Sequence, residues 1–556
     1  MAPPGEALPE GAATAPHDNR RDPASRRPLR FPETHPLQGR KQMATSNIDP
    51  STPVLVGCGD VTDLTTPATD ARSPIDLIAQ AGRAALDDTG AAGMAGVVDT
   101  VAMLRMFADT APRFATSFGR STNPPKSVAQ RLGVNASRHI YTWNGGNMPQ
   151  YLVNMFAEQI AAGDMRAALL VGGEALRTQY GATRGDVKAN WAEDPGGAFE
   201  EIGDPRRGWS DYEERHLMRA AIAMYPLIEN AIRGKRGRDV ETHMKAMGKL
   251  FAGFAAVAKD NPLATRREGF SAEQLSTITA DNRWIGFPYP RFMNANAYID
   301  QAAAVVMTSV GTARELGIPE SKWVYLHGCA DGHDHWYLSE REVIAGSAAI
   351  RNGSRIALDM AGKTIADMDF LDLYSCFPSA VEIACAEIGL AEDDPRGLTV
   401  TGGLPFFGGP GNSYVMHSIS EMMRRVRGKP RSFGLVTANG NYITKHSFGV
   451  YSTTPTEGHW GRQKPSELQN ALDALPKAPL VEAASGPATI ETYTVMYGKT
   501  DPDFAIVIGR LDATGERFLA NTPKDVAVMR DLQAREGLGR PGTVRHEDGR
   551  NIFTPA

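Results

Sequence analysis

Apolar residues along this chain fall into short unbroken runs bounded by glycine, alternating with stretches in which they recur every three or four positions. Pro53-Val54-Leu55-Val56-Gly57-Cys58-Gly59 is the first such run and predicts a buried strand. Ser73-Pro74-Ile75-Asp76 then opens a helix, with Ser73 as N-cap and Pro74 at the first helical position. Ile75, Ile78, Ala79 and Leu86 form its apolar face, and Gly90 ends it. Val97–Leu104 predicts a second strand, Lys126–Gly133 a short helix and Ala168–Gly173 another buried strand. Strands alternating with helices indicate an α/β region with a buried sheet.

Between about residues 178 and 290 this rhythm breaks. Long helical patterns, Tyr212–Asn230 and Val240–Asp260, are separated by charged loops containing Trp and Pro, which reads as a helical insertion. Asp300–Met307 returns to the core. Trp323–His327 predicts a strand opening a second half, Asp367–Leu373 another strand that runs into Tyr374-Ser375-Cys376-Phe377, and Phe433–Gly440 a further buried strand. Beyond residue 478 the pattern turns to β: Ala488–Tyr497, Asp503–Leu511, Arg517–Asn521 and a Thr543–Phe553 hairpin turning at Glu547-Asp548-Gly549, with one helix at Pro523–Glu536. A small β-barrel is expected there. Its connection, Pro476-Lys477-Ala478-Pro479-Leu480-Val481, is short and apolar where a flexible linker would be rich in Gly and Ser, so the barrel is expected to dock.

Two segments share one plan. Gly145-Gly146-Asn147-Met148-Pro149-Gln150-Tyr151-Leu152-Val153-Asn154 and Gly408-Gly409-Pro410-Gly411-Asn412-Ser413-Tyr414-Val415-Met416-His417 each have Gly-Gly, a Tyr six positions after the first Gly, two apolar residues and a polar one. Each runs into a helical pattern followed by a buried strand, the signature of a duplicated domain. Two glycine-opened helix N-termini at equivalent places offer free N–H groups and a positive dipole end to a phosphate, carboxylate or developing oxyanion.

The chain has 556 residues, 42% of them hydrophobic, and a formal net charge of −5 from 59 basic and 64 acidic side chains. That length holds about three or four domain-sized units, and the near-neutral balance gives no electrostatic case for nucleic acid. Cys58, Cys329, Cys376 and Cys385 have no CxxC spacing, which fits a reducing cytoplasm without a disulfide framework or structural zinc. No run of apolar residues is long enough to span a membrane. Residues 1–42 are Pro- and Arg-rich with few large apolar side chains and no signal-peptide core. They are expected to be a tail without a core, or a stretch upstream of a start at Met43.

Gly172-Gly173-Glu174 after the first central helix, Asp300-Gln301-Ala302-Ala303-Ala304, Tyr374-Ser375-Cys376-Phe377, and Thr401-Gly402-Gly403-Leu404-Pro405-Phe406-Phe407-Gly408-Gly409-Pro410-Gly411 together resemble the thiolase superfamily. The third resembles the His-Asp-Cys-Phe of the sterol-carrier-protein-linked thiolases, and the last the thiolase pattern Gly-Gly-x4-Gly-His-Pro-x-Gly. The resemblance covers residues 50–475. With the β-rich tail it points to the thiolase-like proteins type 1, which are often named acetyl-CoA acetyltransferases by similarity and carry an extra C-terminal domain of oligonucleotide-binding-like topology. It implies a duplicated five-layer αβαβα fold: an N-terminal extension over 1–48, a first half over 49–320 containing the insertion, a second half over 321–477, and the additional domain over 478–556. Acidic residues outnumber basic ones in that last segment, so nucleic-acid binding is not expected of it.

In this resemblance Gly146 stands at the nucleophilic cysteine, Gly409 at its activating histidine and Tyr374 at the oxyanion-site histidine; of the usual set only Cys376, the acid/base cysteine, is retained. No cysteine lies between Cys58 and Cys329, so ordinary thiolysis through an acyl-cysteine is not expected. The reading is a cytoplasmic thiolase-like protein that binds CoA or an acyl-CoA, with no covalent cofactor. The alternatives are an acyl-CoA retro-aldolase, a reaction known among thiolase relatives that lack the nucleophile, and a non-catalytic acyl-CoA-binding interaction module.

The candidate catalytic residues are Cys376, Tyr374, Tyr298 and His446; Gly146, Asn147, Gly408, Gly409 and Asn439 are expected to bind substrate. Tyr374 and Tyr298 are expected to face the site as acid/base or orienting hydroxyls, and His446 to approach the second helix end. His333-Asp334-His335 with Asp331 resembles a chelating cluster, but a third well-placed ligand is not evident and no metal is predicted. Arg233, Lys235, Arg236 and Arg238 form a basic run in the insertion, suited to the phosphates of a CoA tail or to a solvated face. The resemblance leaves the oligomeric state open between a dimer through the core and a monomer.

Overall fold

A computed structural model describes residues 48–110 and 112–556. The expected N-terminal extension lies outside the described residues except for Ile48, which is buried in the core of the first half. The first half contributes β1 (Pro53–Thr62), β2 (Thr100–Met103), β3 (Arg138–Thr142), β4 (Ala167–Ala175) and β5 (Glu200–Ile202). The insertion adds β6 (Trp284–Gly286) and β7 (Tyr289–Pro290), and β8 (Asp300–Ser309) returns to the core. The second half gives β9 (Val324–His333), β10 (Phe370–Asp372), β11 (Phe433–Gly440) and β12 (Lys445–Ser452). The tail gives β13 (Gly486–Tyr497), β14 (Pro502–Leu511), β15 (Arg517–Asn521), β16 (Pro541–Glu547) and β17 (Arg550–Pro555).

The core strands run in the order β10-β11-β12-β9-β1-β8-β4-β2-β3-β5. The halves join where Val54 and Leu55 of β1 pair with Tyr325 and Val324 of β9. Two central helices, Met148–Ala162 and Tyr414–Gly428, touch each other and strands of both halves. Helices Pro74–Asp88 and Pro124–Leu132 cover the first half from outside, and Ala348–Met360 covers the second. This is the αβαβα arrangement expected. β12 shows how period-two alternation sorts side chains between layers: Gly449 and Tyr451 meet Gln150 of the first central helix, whereas Phe448 lies on Gly353 of the outer helix.

Two expected elements are interrupted. Met94–Val97 forms a single helical turn before β2. The long helix expected over Tyr212–Asn230 splits into Asp211–Arg215 and Ala221–Lys235, with Leu217 at φ 66° between them. The break leaves His216 buried, its Nδ1 against the Tyr212 carbonyl and its Nε2 accepting from the Asn551 N–H of the tail at 3.1 Å. A tertiary contact with a distant segment overrides the helical pattern here.

The tail closes into a five-stranded barrel, β13-β14-β15-β17-β16, with β13 paired to both β14 and β16. The β6–β7 hairpin attaches outside it, through Gly286 opposite Met496. Tyr493, Val495, Ala505, Val507, Phe518 and Phe553 fill a separate core, while Met496, Ile506, Ile508 and Leu519 point the other way into the main core. The barrel is therefore docked. Fully buried Arg517 donates to the carbonyls of Ser339, Arg341 and Glu342 in the second half and to Glu491 in its own barrel. Among the described residues no helix is long and apolar enough to cross a membrane.

Candidate functional site

The first glycine turn, Gly145-Gly146-Asn147, leads into the first central helix at the point where β11 ends and the loop after β10 crosses. A Cβ on Gly146 would lie 2.5 Å from the Tyr374 hydroxyl and 2.5 Å from the Asn439 carbonyl oxygen, so only hydrogen fits. Gly146 lies outside the positive-φ set; glycine is required here for space. Asn412, from the second repeat, ties the turns together: its Oδ1 accepts from Gly145 N–H at 3.0 Å and its Nδ2 donates to the Arg105 carbonyl at 2.7 Å.

Around this contact lies a buried polar cluster. The Asn439 side chain donates to the Tyr225 hydroxyl at 3.1 Å and accepts from Ile443 N–H at 3.1 Å. Cys376 is within hydrogen-bonding reach of Tyr225, whose ring stacks on Phe377 at 4.3 Å. Burial pushes the Cys376 thiol up to about 12 and holds the Tyr374 and Tyr225 hydroxyls well above the usual phenol range. All three are neutral hydrogen-bond donors at physiological pH. Asn441, Tyr442 and Ile443, the turn between β11 and β12, have φ of 50°, 58° and 57°. Three successive non-glycine residues in the left-handed region store about 1–2 kcal/mol each, and such strain collects at working sites.

Lys445, at the start of β12, is buried beside the same turn, donates to the Asn144 carbonyl and lies 5.6 Å from the Trp336 ring. Burial lowers its ammonium to about 8, with Asp204 opposing that shift. A reluctant cation and a helix N-terminus thus face each other across Gly145. Asn147 Oδ1 is buried there without a partner.

The second turn is built differently. Gly408, at φ 129°, would collide through a Cβ with Gln301 Oε1, and Gln301 is itself held by the Phe407 and Leu263 carbonyls and Thr62. Gly409 N–H donates to the Asn296 carbonyl at 2.8 Å. Gly411, at φ 56°, rests on the buried carboxyl of Glu174, which desolvation raises to about 8. Besides Asn412, the turn reaches the Tyr374 cluster through Tyr414, whose ring lies 5.8 Å from Tyr374 and 6.1 Å from Phe407.

The structure therefore brings together Gly146, Asn147, Tyr374, Cys376 and Asn439, and keeps Gly408 and Gly409 one side chain away. Tyr298 is elsewhere: it is 54% exposed and meets Tyr180 edge-on at 5.0 Å. His446 also does not join. Strand alternation turns it to the outer face with Phe448, where its Nε2 lies 3.8 Å from Asp334 and burial lowers it to about 4. Neighbouring Lys445 takes the inward position instead. Tyr225, Lys445 and Asn412 were missed; only the period-two reading of β12 could have exposed Lys445.

The His333 cluster does not converge. His333 Nδ1 meets the Asp334 carbonyl, His335 Nε2 the Leu475 carbonyl, Asp334 accepts from Ser347 and Ala349, and Asp331 binds Arg462. The basic run is divided as well. Arg233 is fully buried in a bidentate pair with Glu536 of the barrel at 2.6 and 2.8 Å, and Arg236 is matched by Glu382 and Glu392. Arg236, Arg238 and Lys249 line a groove of about 870 Å³ with Leu250, Phe254 and Glu392. Arg238 Nη1 is buried without a partner. Phe254 joins the groove wall to Gly403 and Ser375, immediately before Cys376.

Comparison with known proteins places these features. Residues 467–550 match the thiolase-like protein type 1 additional C-terminal domain, and residues 330–453 the thiolase C-terminal domain-like family. The chain is 26% identical over 250 residues to a 3-ketoacyl-CoA thiolase of Shigella boydii serotype 4 (strain Sb227), 42% of this chain and 48% of that one. It thus spans about half the length of that curated relative. The solved Ltp2–ChsH2(DUF35) aldolase shares the fold at 19% identity and a TM-score of 0.52, over 72% of this chain and 98% of that one. The crystal structure of a monomeric SCP2-thiolase-like protein type 1 from Mycobacterium smegmatis superposes with a TM-score of 0.78 and 39% identity, covering 92% of this chain and 100% of that one. With 39% identity over 92% of its length, and with residues 467–550 matching the additional C-terminal domain, the chain belongs to the SCP2-thiolase-like protein type 1 family.

Proposed function

We propose that this protein binds a CoA thioester and acts on it, or presents it, without forming an acyl-cysteine. The observation that carries the reading is the contact at Gly146. The Tyr374 hydroxyl stands 2.5 Å from where a side chain at that position would begin, so the space a thiolase gives to its nucleophile is taken. The nearest thiol, Cys376, is held protonated by burial near pKa 12, and a thiol is a poor nucleophile beside a thiolate. Binding is supported by the groove that Arg238 lines, where its Nη1 has no partner within the chain and suits a phosphate. Phe254 carries that groove to the edge of the Tyr374–Cys376 loop.

The test is a melting curve with saturating acyl-CoA, since any ligand of the native state raises the transition. An upward shift, lost in Gly146→Leu, supports the reading; no shift in the parent protein removes it. Alongside it, acetoacetyl-CoA thiolysis is expected to stay at background.

A second reading, retro-aldol cleavage of a β-hydroxyacyl-CoA, draws on the same cluster. Tyr374, Tyr225 and Cys376 are neutral donors that can hold an enolate oxygen. Release of an aldehyde or ketone from a β-hydroxyacyl-CoA, abolished by Tyr374→Phe, would select it. The docked barrel weighs against a freely tethered recruitment module, because its outer strands are part of the main core.

A further inference from the structure

Beneath the Tyr374–Cys376 loop lies a second polar group that the CoA reading does not use. Glu229 comes from the insertion helix Ala221–Lys235, His243 from the insertion helix Val240–Asp260, and Glu382 from helix Pro378–Ile388, which begins two residues after Cys376. All three side chains are buried, at 0%, 0% and 1% exposure. One potential ligand atom from each lies within 4.8 Å of the others. His243 Nε2 meets Glu229 Oε1 at 2.6 Å. Glu382 Oε1 accepts from Arg236 at 3.2 Å, whereas Glu382 Oε2 is buried without a donor and its carboxyl lies against that of Glu229, so a proton or a cation must sit between the two.

An unpartnered carboxylate oxygen in a sealed interior is costly unless a proton or a cation meets it. The surrounding charges do not supply one. On the carboxylate side Glu229, Glu382 and Glu392 share the single guanidinium of Arg236. Arg233 and Arg238 act on the His243 side, and Arg233 is already matched by Glu536. The Tyr289 hydroxyl bonds Glu229 Oε2 at 2.5 Å and Ser379 Oγ at 2.8 Å, fixing the far oxygen of Glu229 as an outer partner fixes a ligand.

We propose that Glu229, His243 and Glu382 form a buried site for a divalent cation of the zinc class. Two carboxylate oxygens and one imidazole nitrogen are a borderline donor set, suited to Zn²⁺ or Mn²⁺ and too poor in oxygens for Ca²⁺. Tetrahedral ligands about 2.0–2.2 Å from zinc stand a little over 3 Å apart, so His243 Nε2 and Glu229 Oε1, now 2.6 Å apart, would open to admit the ion, while no pair starts more than 4.8 Å apart. The ion ties both long insertion helices to the helix that carries the Cys376 loop. Its role is positioning: no bond to it forms or breaks in the reaction.

The experiment uses the purified full chain. Elemental analysis after extensive dialysis is expected to find about one transition metal per chain. Growth with Co²⁺ in place of Zn²⁺ is expected to give visible absorption of a nitrogen–oxygen site. Metal-depleted protein should melt about 5 °C lower and recover on adding Zn²⁺. His243→Gln and Glu382→Gln should each lose the metal and the Zn²⁺ response; if either fails to fold, the Co²⁺ spectrum of the parent decides. The proposal is overturned if the parent carries no metal and neither Zn²⁺ nor Mn²⁺ shifts its melting. It is equally overturned if metal binding survives both substitutions. A metal-free parent with a stable Glu382→Gln variant would mean that the carboxyl pair shares a proton instead.

Discussion

The two glycine turns follow one sequence plan but serve opposite needs. At Gly146 the backbone is ordinary and the neighbours are close: the Tyr374 hydroxyl and Asn439 carbonyl fill the place of a side chain. At Gly408 and Gly411 the backbone itself is unusual, with φ of 129° and 56°. The first turn faces a buried lysine, Lys445, and a set of neutral donors; the second rests on a buried carboxyl, Glu174, and on Gln301. Duplication thus supplied two helix ends, and the surroundings made one a polar site and the other a packed joint. A repeat in sequence is evidence for a repeated backbone and says little about repeated chemistry.

The sharpest way to break the contrast is at the joint. Gly408→Ala combines a disfavoured φ with a collision against the pinned Gln301, and is expected to cost about 3–5 kcal/mol, read by urea unfolding. A cost below about 1 kcal/mol would mean that this turn is as yielding as the first.

Lys445 tests the electrostatic side. Its folded pKa, about 8, lies below the 10.5 of a lysine in water. The unfolded chain therefore binds more protons between those values, and this group makes stability rise with pH across that window. The difference in unfolding free energy between the parent and Lys445→Met should grow by about 3 kcal/mol from pH 8 to 10.5. A flat difference would show that the ammonium is not desolvated beside the turn.

Gly146→Ala should be milder, about 2 kcal/mol, because an ordinary backbone has only to accommodate an extra methyl. The conflict is partly with the Tyr374 hydroxyl, so Tyr374→Phe should recover about 1 kcal/mol of that cost. Strict additivity of the two substitutions would contradict the contact on which the proposed function rests.

Much of this was legible in the sequence. The apolar runs, Ser73-Pro74 at the first helix start, and the glycine repeat carry local information, and the elements they predict match, with the helix expected from Lys126 beginning two residues earlier at Pro124. The barrel strand Arg517–Asn521 and helix Val240–Asp260 fall where the pattern put them. What was not legible depends on which distant residue arrives. His216 breaks a helix to meet Asn551, and Arg233, one of an apparent basic patch, is spent on Glu536. His446 looked chemically apt, but β12 turns it outward and gives the site Lys445 instead. Tyr298 lies two residues from Asn296, whose carbonyl meets the second turn, but its own side chain ends at the surface with Tyr180. Tyr225 arrives from the insertion, and nothing local to it announces that it will meet Cys376 and Asn439.

The most direct test of the central claim is to mix the protein with acetoacetyl-CoA and record its mass under native and denaturing conditions. The account predicts a native ion carrying one intact CoA thioester and a denatured chain of unmodified mass. A denatured chain heavier by an acetyl group would show that an acyl-cysteine forms after all, and a native spectrum without any CoA adduct would show that this cluster does not bind the thioester.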